Sequence, residues 1–172
     1  MRKNKVVGHF VKYSISVLLL SILFFSCNEN KKLQSQLFAT LDSNYTHLTF
    51  INQLKPNPGF NLFTYMYYYN GAGVGAGDFN YDGLIDLFFT ANQGDNKLFL
   101  NKGSIKFDDV TVAANIPQDK GGSTGVSVID FNNDGLLDIY VFKVGRYKTL
   151  NSKNQLLICQ GINKQGIPFY KD

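Results

Sequence analysis

The chain has 172 residues, 44% of them hydrophobic and only 17% charged, which excludes a disordered polyelectrolyte and allows one domain with a real core. Aromatics make up 15% and glycine contributes 16 residues, a mixture that favours strands and turns over helices. The net charge of +4 is not a nucleic-acid footprint, because Arg2, Lys3, Lys5 and Lys12 supply it. Beyond residue 26 the chain carries 13 basic against 13 acidic residues.

In chain order, the basic stretch Met1–Lys12 leads into an apolar run from Tyr13 to Phe25. As a helix that run spans roughly 20 Å, short of a bilayer core of about 30 Å, and so reads as the apolar region of a signal peptide. It ends in Phe24-Phe25-Ser26-Cys27, which resembles a bacterial lipobox with Cys27 as the lipidation site, although Phe24 replaces the usual leucine. The expected order is a signal peptide over 1–26, a polar tether over 27–40 and a folded domain over 41–172. The chain is then exported to the cell envelope and held to the membrane by its lipid. Asn28 after the cysteine points to the outer membrane, facing the surface. Cys159, in the apolar run Leu156–Cys159, is expected to be a buried, inert thiol.

Within the domain, Thr46–Ile51 reads as a strand, Lys55–Gly59 as a proline-interrupted loop, and Tyr65–Tyr69 as an aromatic strand. The chain then repeats itself. Asp78-Phe79-Asn80-Tyr81-Asp82-Gly83-Leu84-Ile85-Asp86-Leu87 returns 52 residues later as Asp130-Phe131-Asn132-Asn133-Asp134-Gly135-Leu136-Leu137-Asp138-Ile139, identical at seven of ten positions. A small-residue strand precedes each copy, and an apolar strand, a polar turn and a second apolar strand come after it. The second of these apolar strands, in Asn154–Gly161, is displaced by 58 rather than 52 from its equivalent in Asn96–Gly103, which places a six-residue insertion around Lys143–Lys153. The units span about 65–118 and 119–172. A period near 50 with short strands is that of a propeller blade.

The repeated Asp-x-Asn-x-Asp-Gly-x-x-Asp loop suits calcium, which takes roughly six to eight oxygen ligands. Asp78, Asn80 and Asp82, and likewise Asp130, Asn132 and Asp134, occupy alternate positions of a tight turn. Gly83 and Gly135 permit the bend after them. The carbonyls of Leu84 and Leu136 and the carboxylates of Asp86 and Asp138 are the remaining candidate ligands, giving two calcium sites. The twelfth position is Phe89 or Val141, which rules out an EF-hand. A metal-free Asp-Gly turn leaves the other carboxylates unexplained, and a catalytic carboxylate pair does not require two equivalent loops.

Beyond these loops, Tyr68-Tyr69-Asn70-Gly71-Ala72-Gly73-Val74, Asn96–Gly103 and Phe107-Asp108-Asp109-Val110-Thr111 resemble the FG-GAP/VCBS repeats of integrin-α-like propellers. More closely they resemble the cartilage acidic protein and UnbV-type family of Bacteroidota surface lipoproteins. The resemblance covers roughly residues 45–172 and implies an all-β, calcium-stabilised propeller in the cell envelope. Asn115 departs from it, standing where the family tends to have glycine. Two blade-like units cannot close a ring of four to eight, so the propeller is expected to be incomplete and the chain a fragment.

Other motifs carry less. Gly71–Ala76 mimics a dinucleotide fingerprint, but an acidic loop comes next where a helix is required. His47 has no evident partner, Ser123-Thr124 is a turn rather than a nucleophile elbow, and Lys143, Arg146 and Lys148 read as a solvated face. The functional expectation is a non-catalytic surface module that binds or scaffolds a protein or glycan, with no nucleic-acid partner. The alternative is a non-catalytic subunit of an outer-membrane glycan-capture system, and an enzyme fragment is the least favoured.

Overall fold

A computed structural model describes residues 37–118, 121–147 and 150–172. The apolar run and Cys27 lie outside these residues, and among them no helix is long and apolar enough to cross a membrane. Residues 41–172 form one compact unit.

The unit is all-β. One four-residue helix, α1 (Ser43–Thr46), is followed by β1 (Val74–Gly77), β2 (Asp86–Phe89), β3 (Lys97–Asn101) and β4 (Phe107–Asp109). After these come β5 (Ser123–Ile129), β6 (Asp138–Lys143), the short pair β7 (Arg146–Tyr147) and β8 (Leu150–Asn151), β9 (Gln155–Ile162) and β10 (Pro168–Lys171). Two antiparallel sheets result, ordered β1-β2-β3-β4 and β5-β6-β9-β10. Each is an up-and-down blade, so the architecture is an incomplete propeller of two blades. The insertion read from the offset of 58 is the β7–β8 hairpin, which lies in the chain between the paired strands β6 and β9 of the second blade.

The core lies between the sheets. Phe79, Phe88, Leu98 and Leu100 of the first blade meet Ile139, Val141, Leu157, Cys159 and Tyr170 of the second, with Ala114 and Ile116 of the connecting segment enclosed. Alternation along the strands explains this, because every second residue is buried in β2, from Ile139 to Lys143 in β6 and from Gln155 to Cys159 in β9. The connecting segment turns at Asn115, whose φ of 58° is left-handed. Asparagine tolerates that region, which accounts for its standing in for glycine. Its side-chain amide donates to the Tyr170 carbonyl at 2.9 Å.

Two expected strands are absent. Thr46–Ile51 instead begins in α1, capped by the Asp42 carboxylate accepting from the Asn44 amide at 2.7 Å and ended by His47 at φ 60°. A side chain that caps a helix outweighs the β-propensity of Tyr45 and Thr46. Tyr65–Tyr69 folds as successive turns, since Asn61 accepts from the amides of Phe63 and Thr64, and aromatic pairs such as Phe60–Tyr68 stabilise the coil.

The blades approach most closely along β1 and β5. A Cβ on Gly73 would stand 2.8 Å from Gly125 Cα, and one on Gly75 would stand 2.7 Å from Val128 Cγ2. At Gly73 the obstacle is backbone and cannot move aside. Gly73→Ala is therefore expected to cost roughly 1–3 kcal/mol of stability through overpacking. Gly59→Ala, where the added carbon meets only Asn57 Oδ1 at 3.5 Å, should stay within about 0.5 kcal/mol. Urea unfolding of the two variants checks the contrast.

Candidate functional site: the twin acidic loops

Each acidic loop joins the inner strand of its blade to the next one, β1 to β2 and β5 to β6. Both fold the same way. Asp78 accepts the amides of Asp82 (3.1 Å) and Gly83 (2.9 Å) on its two carboxylate oxygens, and Asp130 accepts those of Asp134 (3.1 Å) and Gly135 (2.9 Å). Asp82 Oδ1 and Asp134 Oδ1 accept from Leu84 and Leu136. Asn80 Nδ2 donates to Asp82 Oδ2 at 3.0 Å, and Asn132 Nδ2 to Asp134 Oδ2 at 2.8 Å. The left-handed residues coincide as well: Tyr81 at φ 58° and Asn133 at 59°, Gly83 at 84° and Gly135 at 87°. One turn has been built twice.

The final aspartate of each loop has a role that the pattern did not reveal. Asp86 and Asp138 are fully buried. Asp86 accepts the Phe79 amide at 2.9 Å and the Asn101 amide at 2.7 Å; Asp138 accepts the Phe131 amide at 2.9 Å and the Cys159 amide at 2.8 Å. The carboxylate thus pins the start of the loop to the neighbouring strand, β3 or β9. The two amides belong to equivalent strand positions, Asn101 and Cys159, which stand 58 residues apart.

Negative charge gathers here without compensation. Among the described residues none of the six loop carboxylates makes an ion pair, and the Lys97–Asp109 bridge at 2.9 Å lies elsewhere. Burial raises Asp86 from its ordinary 3.8 to about 6, opposed by its two amide bonds and reinforced by Asp82 and Asp78. Desolvation, then Asp130, Asp134 and Asp78, raises the Tyr81 phenol. This side chain of the first loop thus stands in the field of both. Cys159 is buried and its thiol is pushed upward, chiefly by burial, as expected of an inert cysteine.

The donors in these loops are oxygens, the ligand type a hard divalent cation takes. Asp78, Asn80 and Asp82, and their counterparts, present side-chain oxygens from one tight turn. The oxygens of Asp86 and Asp138 keep a lone pair beyond the amide each accepts. Among the described residues the structure brings no three His, Cys, Asp or Glu side chains together in a group that could hold a metal ion, so the three aspartates of each loop do not converge as a ready-made cluster.

An FG-GAP-like repeat model matches residues 78–141, which run from the first acidic loop through the second. Residues 78–141 thus resemble an FG-GAP repeat. The chain is similar over 72 residues to cartilage acidic protein 1 of Homo sapiens and of Mus musculus, each 35% identical, and to that of Xenopus tropicalis at 33%. The matches cover 42% of this chain and 11% of each relative, so the chain spans about a tenth of the proteins it resembles.

The raised pKa of Asp86 has a defined sign. Its folded value exceeds the unfolded one, so its contribution is fully present below about pH 4 and is lost as pH rises through about 6. In chelator, stability is expected to fall across that window. The step should be missing from Asp86→Asn, as pH-dependent thermal melts of the two proteins would show.

Proposed function

We propose that this chain is an FG-GAP repeat protein whose two loops bind calcium, and that the ion fixes the loop-bearing rim of a non-catalytic module for binding or scaffolding at the cell surface. The observation carrying this reading is the twinned geometry: two uncompensated carboxylate turns with the same hydrogen bonds and the same left-handed residues. Chance rarely duplicates an electrostatically costly turn, whereas a cation that relieves the repulsion gives the duplication a use. Asp78, Asn80 and Asp82 hold the first ion and Asp130, Asn132 and Asp134 the second. The carbonyls of Leu84 and Leu136 and the carboxylates of Asp86 and Asp138 complete the two shells.

The same proposal places the protein in the cell envelope, exported by residues 1–26 and anchored through lipid on Cys27, with the outer surface as its destination. A scaffold of this kind presents its loops to a protein or glycan partner.

Calcium at about ten times its dissociation constant contributes about 1.4 kcal/mol per site. Millimolar calcium should therefore raise the melting temperature relative to chelator, and Asp82→Ala/Asp134→Ala should abolish the rise. A melt indifferent to calcium would reduce the loops to plain turns. For the anchor, Cys27→Ala should move the protein from the membrane fraction to the soluble one. Retention of the variant in the membrane would remove the lipid from the account.

A further inference from the structure

The two blades and the segment before them enclose a pocket at the rim opposite the acidic loops. Each acidic loop follows its inner strand. The pocket residues stand at the other strand ends: Asn70 precedes β1, Asn92 follows β2, Gly122 and Thr124 flank the first residue of β5, and Val144 follows β6. The volume is about 300 Å3, at the lower end of the range for small-molecule sites.

The lining that comes from the blades is fixed by bonds between them. The Gly122 and Ser123 amides donate to the carbonyls of Asn92 at 3.0 Å and Ala91 at 3.2 Å. The Asn92 side-chain amide donates to the carbonyls of Gly71 at 2.5 Å and Ser123 at 3.0 Å, and its oxygen accepts from Asn52 at 2.8 Å. The lining that comes from the preceding segment is aromatic. Phe60 stacks on Tyr65 with centroids 5.4 Å apart and meets Tyr68 edge-on at 5.2 Å, and Tyr65 meets Tyr67 edge-on at 5.8 Å. Each ring is braced by the next, and a site held this way loses little freedom on binding. Tyr67 nevertheless stays 54% exposed.

The polar groups of the pocket are uncharged. Among the described residues no Asp, Glu, Lys or Arg side chain lines it. One polar group is also unmet: Tyr68 is 3% exposed, yet its hydroxyl has no hydrogen-bond partner. The Gln93 side chain stands nearby, but both atoms of its amide are engaged by the Lys55 backbone. A buried hydroxyl left unpaired destabilises the free protein, and a ligand that pairs it relieves that penalty. The Asn70 amide offers a further donor and acceptor, and the Thr124 hydroxyl, which donates to the Phe142 carbonyl at 3.3 Å, keeps its lone pairs. Rings beside uncharged hydrogen-bonding groups suit a neutral ligand with a C–H face and hydroxyl edges. A quaternary ammonium head satisfies the rings but leaves the Tyr68 hydroxyl unpaired, and an anion meets no cationic side chain.

We propose that this pocket binds a neutral pyranose sugar, its C–H face against Tyr67 and its hydroxyls on Tyr68, Asn70 and Thr124. The site draws on none of the acidic-loop chemistry, so a failure of calcium binding leaves it standing.

Saturation-transfer NMR of the full chain tests this, in millimolar calcium and a detergent without a sugar head. The probes are the methyl glycosides of glucose, galactose and N-acetylglucosamine, with tetramethylammonium as the competitor. At least one sugar should bind, and the competitor should not displace it. Tyr67→Ala removes an exposed ring and should weaken binding roughly tenfold. Tyr68→Phe removes only the unpaired hydroxyl and should weaken binding about three- to tenfold, while the melting temperature of the free protein does not fall. A hydroxyl bonded within the fold would lower that melt on removal, so the two readouts separate a ligand contact from a structural one. The proposal is overturned by a protein that binds none of the three sugars at millimolar concentration, or that takes tetramethylammonium in their place. It is equally overturned by sugar binding that both substitutions leave unchanged, or by a Tyr68→Phe melt below that of the wild type.

Discussion

The fold turns on a buried carboxylate placed once in each blade. Asp86 and Asp138 each stand at the head of a second strand, out of solvent, and each accepts one amide from its own loop and one from the third strand. Burying a charge without partners costs several kcal/mol, and even a hydrogen-bonded one is expensive. The return is geometric. Loop, second strand and third strand are locked in one register, and the oxygens that remain are held beside the other two carboxylates. Loop shape and sheet order are therefore one problem, solved by a single side chain.

Much of this was legible from the residues. The 52-residue repeat marked the two blades. The change of offset to 58 located the inserted hairpin, because an insertion displaces only the residues C-terminal to it. Asp-x-Asn-x-Asp-Gly specified the turn, since alternating oxygens and one glycine leave the backbone few alternatives. The double duty of Asp86 and Asp138 was hidden because its partners are backbone amides, and an amide has no sequence signature. Thr46–Ile51 and Tyr65–Tyr69 misled for a different reason. Their aromatic and β-branched residues favour strands, but Asp42 and Asn61 supply side-chain acceptors that close turns first.

The close approach of the inner strands sets a further constraint. Gly73 and Gly75 let one backbone lie against the next blade, and this contact brings both acidic loops to the same end of the molecule. The turn before Ile167 also reaches the first loop, with a Cβ on Gly166 lying 3.9 Å from Asn80 Nδ2. The loops are thus neighbours in one field, and occupancy of one alters the electrostatic cost of the other.

The inserted hairpin sits at the other end of β6 from the acidic loop. Since a strand has two ends, this blade separates two kinds of change. Length and sequence at the hairpin rim can vary without altering the distances among Asp130, Asn132 and Asp134, because the buried strand between them transmits no slack. A blade laid out this way tolerates change at one rim without disturbing the turn geometry at the other.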